Sequence, residues 1–125
     1  MDPKQLRYTP SHEWVSLNGR TALIGITDHA QKEISDIVFI ELPKPGQKFR
    51  TKESAMIIES VKAAFDIYSP VAGTVTRVNT RLADHPEAVN RSPYGEGWLF
   101  EIACDNPAEV DSLLTDEQYK GLSAH

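Results

Sequence analysis

The sequence predicts a mainly β, antiparallel, sandwich-like fold with short peripheral helices. Three observations carry this. Several short runs rich in β-branched and aromatic residues are each closed by Gly, Pro or Asn. One pair of runs flanks Asn18-Gly19, a hairpin signal. The helical stretches are few and short, and polar capping residues precede them. At 125 residues the chain fits one domain, spanning residues 1–125. That length buries a core without a metal or disulfide staple.

Residues 13–17 and 20–26 form the first strand pair, with Asn18-Gly19 supplying the positive φ of a tight turn. A short helix follows over residues 28–34. Asp28 is placed to cap it, and Gln31 stands where it returns the bond. Residues 37–42 read as a strand that Pro43-Lys-Pro-Gly46 stops. Residues 69–78 give a turn and a further strand. Gly73 marks a place where a side chain would clash or φ is positive. Residues 97–102 are a late strand. Asn106 then caps a helix with Pro107 at its first position, and Val110, Leu113 and Leu114 form its apolar stripe. Thr115 starts a second short turn, with Gln118 three residues on. One segment breaks the pattern. Residues 51–65 contain no Gly, Pro or Asn, and Ile57, Ile58, Val61, Ala64 and Phe65 recur at helical spacing. Local rules make this an amphipathic helix with Lys62 on its solvated side.

Lys plus Arg number 13 and Asp plus Glu 18, for a net charge of −5. An acidic chain without a basic run points away from nucleic acid and from anionic membranes. No apolar run approaches the ~20 residues of a membrane span. The stretch from Met1 to Tyr8 lacks the apolar core of a signal peptide and the Arg/Ser-rich face of a transit peptide. The cytoplasm is expected, or the mitochondrial matrix if a presequence has been removed. The single cysteine, Cys104, permits no internal disulfide and reads as a buried, idle thiol.

Catalytic signatures are missing. His12, His29, His85 and His125 have no second His or Cys at ligand spacing, so sequence supports no metal site. Ser11-His12-Glu13 is adjacent in sequence, whereas triads meet in space. The glycines form no phosphate-binding pattern. A small acidic chain of this kind reads as a non-catalytic carrier, adaptor or binding module.

Six ordered segments sharpen that reading. They are residues 8–15 (YTPSHEWV), 25–31 (GITDHAQ), 36–43 (DIVFIELP), 59–63 (ESVKA), 67–73 (IYSPVAG) and 90–98 (NRSPYGEGW). In order and spacing they resemble the glycine cleavage H-protein family, over nearly the whole chain. The resemblance implies a lipoyl-carrier fold of the lipoyl/biotinyl type. This is a flattened barrel or sandwich of two antiparallel sheets over about residues 8–103, with a C-terminal helical segment over about 106–120. It implies that Lys62 carries lipoate as an amide, within the motif Glu59, Ser60, Val61, Lys62, Ala63. It therefore opposes the local helix and makes residues 56–60 and 64–68 two strands of a hairpin. Tertiary context overrides propensity over so short a stretch, and the hairpin is the expectation adopted. Independently, a carrier lysine needs a long flexible stem, small neighbours such as Ala63 and Ala64, and a rigid base.

The resemblance further implies the reaction served. A pyridoxal-phosphate glycine decarboxylase (P-protein) would load an aminomethyl group on the arm. A folate-dependent aminomethyltransferase (T-protein) would unload it, and dihydrolipoamide dehydrogenase (L-protein) would reoxidise the dithiol. A lipoate ligase or a lipoyl/octanoyl transferase would attach the arm. Ser11, Glu13 and Asp66 match positions of the cleft that shelters the loaded arm. The chain is expected to be a monomer. Ser35, Pro45 and Phe65 depart from the family's commoner residues. Ser35 stands where many relatives have Gly, which alters the freedom of φ there, and Phe65 is placed to alter the cleft wall. Two other readings stay open: a lipoyl or biotinyl carrier domain of another complex, and a non-lipoylated binding module with the same fold.

Overall fold

A computed structural model describes residues 2–123. His125, one of the four histidines considered above, lies outside the described residues, as do Met1 and Ala124. The described chain builds two antiparallel sheets. The larger has the order β1-β2-β3-β9-β8-β5, from β1 (Arg7–Tyr8), β2 (Glu13–Asn18), β3 (Thr21–Ile26), β9 (Phe100–Cys104), β8 (Gly73–Val78) and β5 (Lys48–Phe49). The smaller has the order β4-β6-β7, from β4 (Ile37–Glu41), β6 (Ser54–Ser60) and β7 (Ala64–Tyr68). No ladder joins the two among the described residues, so the architecture is a sandwich and not a closed barrel. Ile24, Ile58, Ile67, Val75, Phe100 and Ile102 meet in one buried cluster drawn from both sheets. Each such side chain contributes about 1.5–3 kcal/mol by leaving water.

The first hairpin turns one residue later than its sequence suggests. Asn18 pairs with Thr21, so Gly19 and Arg20 form the loop, and Gly19 alone takes a positive φ, of 65°. Glycine at the first central position is what a type II′ turn requires. The helix α1 (Asp28–Ile34) is capped by Thr27, not Asp28. Thr27 has extended backbone, and its Oγ1 accepts from the Ala30 N–H at 3.1 Å. Asp28 is the first helical residue and accepts from Gln31 Nε2 at 2.9 Å.

The late strand also begins further on, at Phe100. Asn79 Nδ2 takes the carbonyls of Glu96 and Trp98, at 2.7 and 2.8 Å, and holds that stretch in a loop. Gly73 behaves as expected. A Cβ there would collide with the Ala103 carbonyl across the β8–β9 ladder. A short helix α2 (Ala88–Arg91) packs beside α1.

Asn106 caps a 3-10 turn over Pro107–Ser112. The chain then extends, and Leu114 exchanges two backbone hydrogen bonds of 2.8 Å with Tyr8, extending the edge at β1. Thr115 and Gln118 form the expected reciprocal cap of α3 (Asp116–Ser123), at 2.9 and 3.3 Å.

Candidate functional site

The ambiguous segment is a β-hairpin. Along β6, Met56 and Ile58 are buried, whereas Ile57 between them is half-buried and Glu59 after them is exposed. Along β7, Ile67 is buried and Phe65 half-buried against the core, opposite Ile58. Period-two burial on a pleated sheet has won over helix propensity. Phe65 packs inward and is not part of the cleft wall, contrary to its sequence-based expectation.

Lys62 stands at the tip. Residues Val61, Lys62 and Ala63 join the strands, and all three are exposed, with Val61 at 68%. The tip is held by backbone and by one hydroxyl. The Ser60 N–H donates to the Ala63 carbonyl at 2.8 Å. Ser60 Oγ accepts from the N–H groups of Lys62 and Ala63, at 3.2 and 3.3 Å. The Val61 N–H donates to the Asp36 carbonyl at 3.0 Å, tying the tip to the corner between α1 and β4. The Lys62 ammonium has no ion-pair partner among the described residues.

Asn90 braces that corner. Its Oδ1 accepts from the Ile37 N–H at 3.0 Å, and its Nδ2 donates to the Ser35 carbonyl at 2.8 Å and Gln31 Oε1 at 3.1 Å. Ser35 itself ends α1 at φ 68°, ψ −149°, a conformation that suits glycine.

The opposite end of the hairpin opens on a cleft of about 690 Å³. Ser11 and Glu13 line one side and Tyr68, Ser69 and Pro70 another, with Leu113 and Leu114 closing it. Glu13 is only 1% exposed. Its Oε1 accepts from Thr9 Oγ1 at 2.5 Å and Ser11 Oγ at 2.7 Å. Burial pushes its carboxyl above the usual range, and these hydrogen bonds partly oppose the shift. The structure thus brings Ser11 and Glu13 together. Asp66 is not in the cleft lining. It lies on the exposed outer face of β7, between Ala64 and Tyr68, and accepts from Ser54 Oγ at 2.8 Å. The outer face of β7 therefore presents Ala64, Asp66 and Tyr68 in line from the tip to the cleft, over roughly 14 Å at ~3.4 Å per residue.

Sequence reasoning did not find Thr9, Tyr68 or the Leu113–Leu114 pair at this site. They converge only through strand pairing, and nothing local distinguishes them. It also could not see that the His12 and His29 rings meet in a tilted contact, with centroids 4.5 Å apart. Cys104 is buried, and burial pushes its thiol up, as expected of an inert residue.

Comparison with known proteins decides the family. The glycine cleavage H-protein family model matches residues 6–125. The chain belongs to the glycine cleavage H-protein family. Its curated relatives include the glycine cleavage system H protein of Methylacidiphilum infernorum (isolate V4), 50% identical over 120 residues, which are 96% of this chain and 94% of the relative. A probable glycine cleavage system H protein from Aeropyrum pernix is 52% identical over 116 residues, covering 93% and 81% of the two chains. The crystal structure of a glycine cleavage system H protein from Mycobacterium marinum superposes with a TM-score of 0.89 at 32% identity, over 99% of this chain and all of that one. This H-protein family member is a non-catalytic carrier component of the glycine cleavage system, and it works with that system's other components. No helix among its described residues is long and apolar enough to cross a membrane.

Proposed function

We propose that Lys62 is the lipoyl attachment site, and that the lipoyl arm shuttles an aminomethyl group between the enzymes of glycine cleavage. One observation carries this reading: Lys62 is the exposed apex of a braced hairpin, inside the motif Glu59-Ser-Val-Lys-Ala63. The residues fit the group. The amine is unpaired among the described residues, Ala63 and Ala64 leave room beside it, and the backbone bonds at Ser60 and Val61 give a rigid base. Burial on one face of β6 and β7 fixes that base in turn.

When bound, the dithiolane supplies the sulfur chemistry that the protein lacks. The chain's own residues supply address and shelter. Ala64, Asp66 and Tyr68 mark the track from the tip, and Ser11 and Glu13 provide acceptors for a cationic cargo at its end. The partners in this reading are the decarboxylase, the aminomethyltransferase, the dihydrolipoamide dehydrogenase and a lipoate-attaching enzyme. The whole chain acts as one lipoyl-carrier domain.

Intact-mass measurement after coexpression with a lipoate ligase tests the site. A single lipoyl addition is expected, and it should vanish in Lys62→Arg. An adduct that persists in that variant sinks the assignment. Full loading without any aminomethyl transfer would instead favour a lipoyl carrier of another complex.

A further inference from the structure

Beyond the carrier reading, and independent of it, we propose that His12, His29 and Glu33 form a binding site for a divalent cation of the zinc class. The three side chains come from two elements that tertiary structure brings together. His29 and Glu33 share one face of α1 at i and i+4, and His12 reaches them from the turn before β2. One ligand atom from each residue lies within 4.8 Å of the others. His29 Nε2 already meets Glu33 Oε1 at 3.0 Å.

The donor set suits the metal. Two imidazoles and one carboxylate, with a fourth position left for water, is an established zinc arrangement. At bond lengths of about 2.0–2.2 Å, a tetrahedral site sets any two ligand atoms roughly 3.4 Å apart. Closing the site therefore needs a contraction of up to about 1.4 Å from the 4.8 Å spread. The side chains of His29 and Glu33 are 39% and 62% exposed and are free to make it.

His12 has a partner able to support it as a ligand. Its Nδ1 is 2.6 Å from Tyr119 Oη, which lies 2.8 Å from Thr27 Oγ1. With Nδ1–H donated to Tyr119, Nε2 is left as the lone-pair nitrogen. An outer hydrogen bond that fixes tautomer and ring orientation is the usual support of a metal-bound histidine. The positive φ of His12, 74°, sets the direction from which the ring approaches α1. A bound ion would fasten α1 to this turn. Ser11 and Glu13 are His12's neighbours in the chain, so the clamp would also stiffen that side of the cleft.

The test is titration of Zn²⁺, and of Co²⁺ as a spectroscopic probe, into the tag-free full-length protein under non-reducing conditions. Lys62→Arg is titrated in parallel to exclude the arm. Saturable 1:1 binding is expected, with a rise in melting temperature and the visible absorption of tetrahedral Co²⁺. His12→Asn, His29→Asn and Glu33→Gln should each weaken binding at least about 10-fold, and Tyr119→Phe about 10-fold through the supporting bond. Asn is chosen at position 12 because it tolerates positive φ. His85→Asn should change nothing. No saturable binding, or binding that survives His29→Asn, an exposed change that leaves the fold intact by circular dichroism, overturns the proposal. So does loss of binding in His85→Asn.

Discussion

Ser35→Gly should stabilise this protein. Ser35 ends α1 with φ 68° and ψ −149°, a region populated almost entirely by glycine. A residue with a Cβ held there costs about 1–3 kcal/mol. The surroundings over-determine it. Its N–H donates to the Gln31 carbonyl at 2.9 Å, and its carbonyl accepts from Asn90 at 2.8 Å. Both bonds are backbone bonds on its side and survive the substitution. Glycine also loosens the unfolded chain, which takes back about 0.5–1 kcal/mol. The net gain is about 1 kcal/mol, and for a chain of this length the melting temperature rises by roughly 4 °C. Urea unfolding followed by tryptophan fluorescence measures it, with Ser35→Ala as the control. Alanine keeps the Cβ and should give no comparable gain. An unchanged or lower midpoint for Ser35→Gly, or an equal gain for Ser35→Ala, refutes the strain argument.

Three other outcomes are expected. Asn90→Ala removes three hydrogen bonds and strands the Ile37 N–H, so it should cost about 2–4 kcal/mol in the same assay; a loss under 1 kcal/mol would mean that water replaces the brace. Burial pushes the hydroxyls of Tyr8 and Tyr94 up, so the unfolded chain gives up their protons first. Stability should therefore hold below the ordinary tyrosine value of about 10 and fall as pH climbs past it, with a shallower fall in Tyr8→Phe. A flat profile there contradicts the burial argument. Glu13→Gln combined with Asp66→Asn should speed spontaneous ammonia release from the loaded protein severalfold, read by ammonia assay after separation from the decarboxylase; an unchanged rate removes both carboxylates from the sheltering role.

How much was legible in the sequence depended on how local each cause was. The Thr115–Gln118 cap, the Asn106–Pro107 start and the clash at Gly73 rest on chemistry within a few residues or on glycine itself, and they came through. The Gly19–Arg20 turn and the Thr27 cap missed by one residue, because several neighbours can each play the part and only the backbone path decides. The β6–β7 hairpin was unreadable locally. Ile57, Ile58 and Val61 satisfy a helical stripe as well as a strand, and only the pairing of Ile58 with Ile40 on one side and Phe65 on the other selects the strand. Within the site, Lys62 was reached through a motif. Thr9, Tyr68 and Leu114 were not, since each contributes through a partner distant in sequence or through burial that only the closed sandwich creates.

Glu13 also bears on why a carrier would shelter its cargo in such a place. A fully exposed carboxylate would hold a cation weakly, because water screens the pair. A fully buried and unsatisfied one would not ionise at all. Glu13 lies between these limits. Burial opposes its charge, while the hydrogen bonds from Thr9 and Ser11 favour it. In the proposed reading, a cation entering the cleft must shed its own hydration to pair with this carboxylate. Part of the attraction is spent on that step, so the net hold is smaller than the bare Coulomb interaction at that burial. A modest hold suits a shuttle better than a strong one. In that reading the same carboxylate that pairs with the cargo must release it when the next enzyme offers a tighter site.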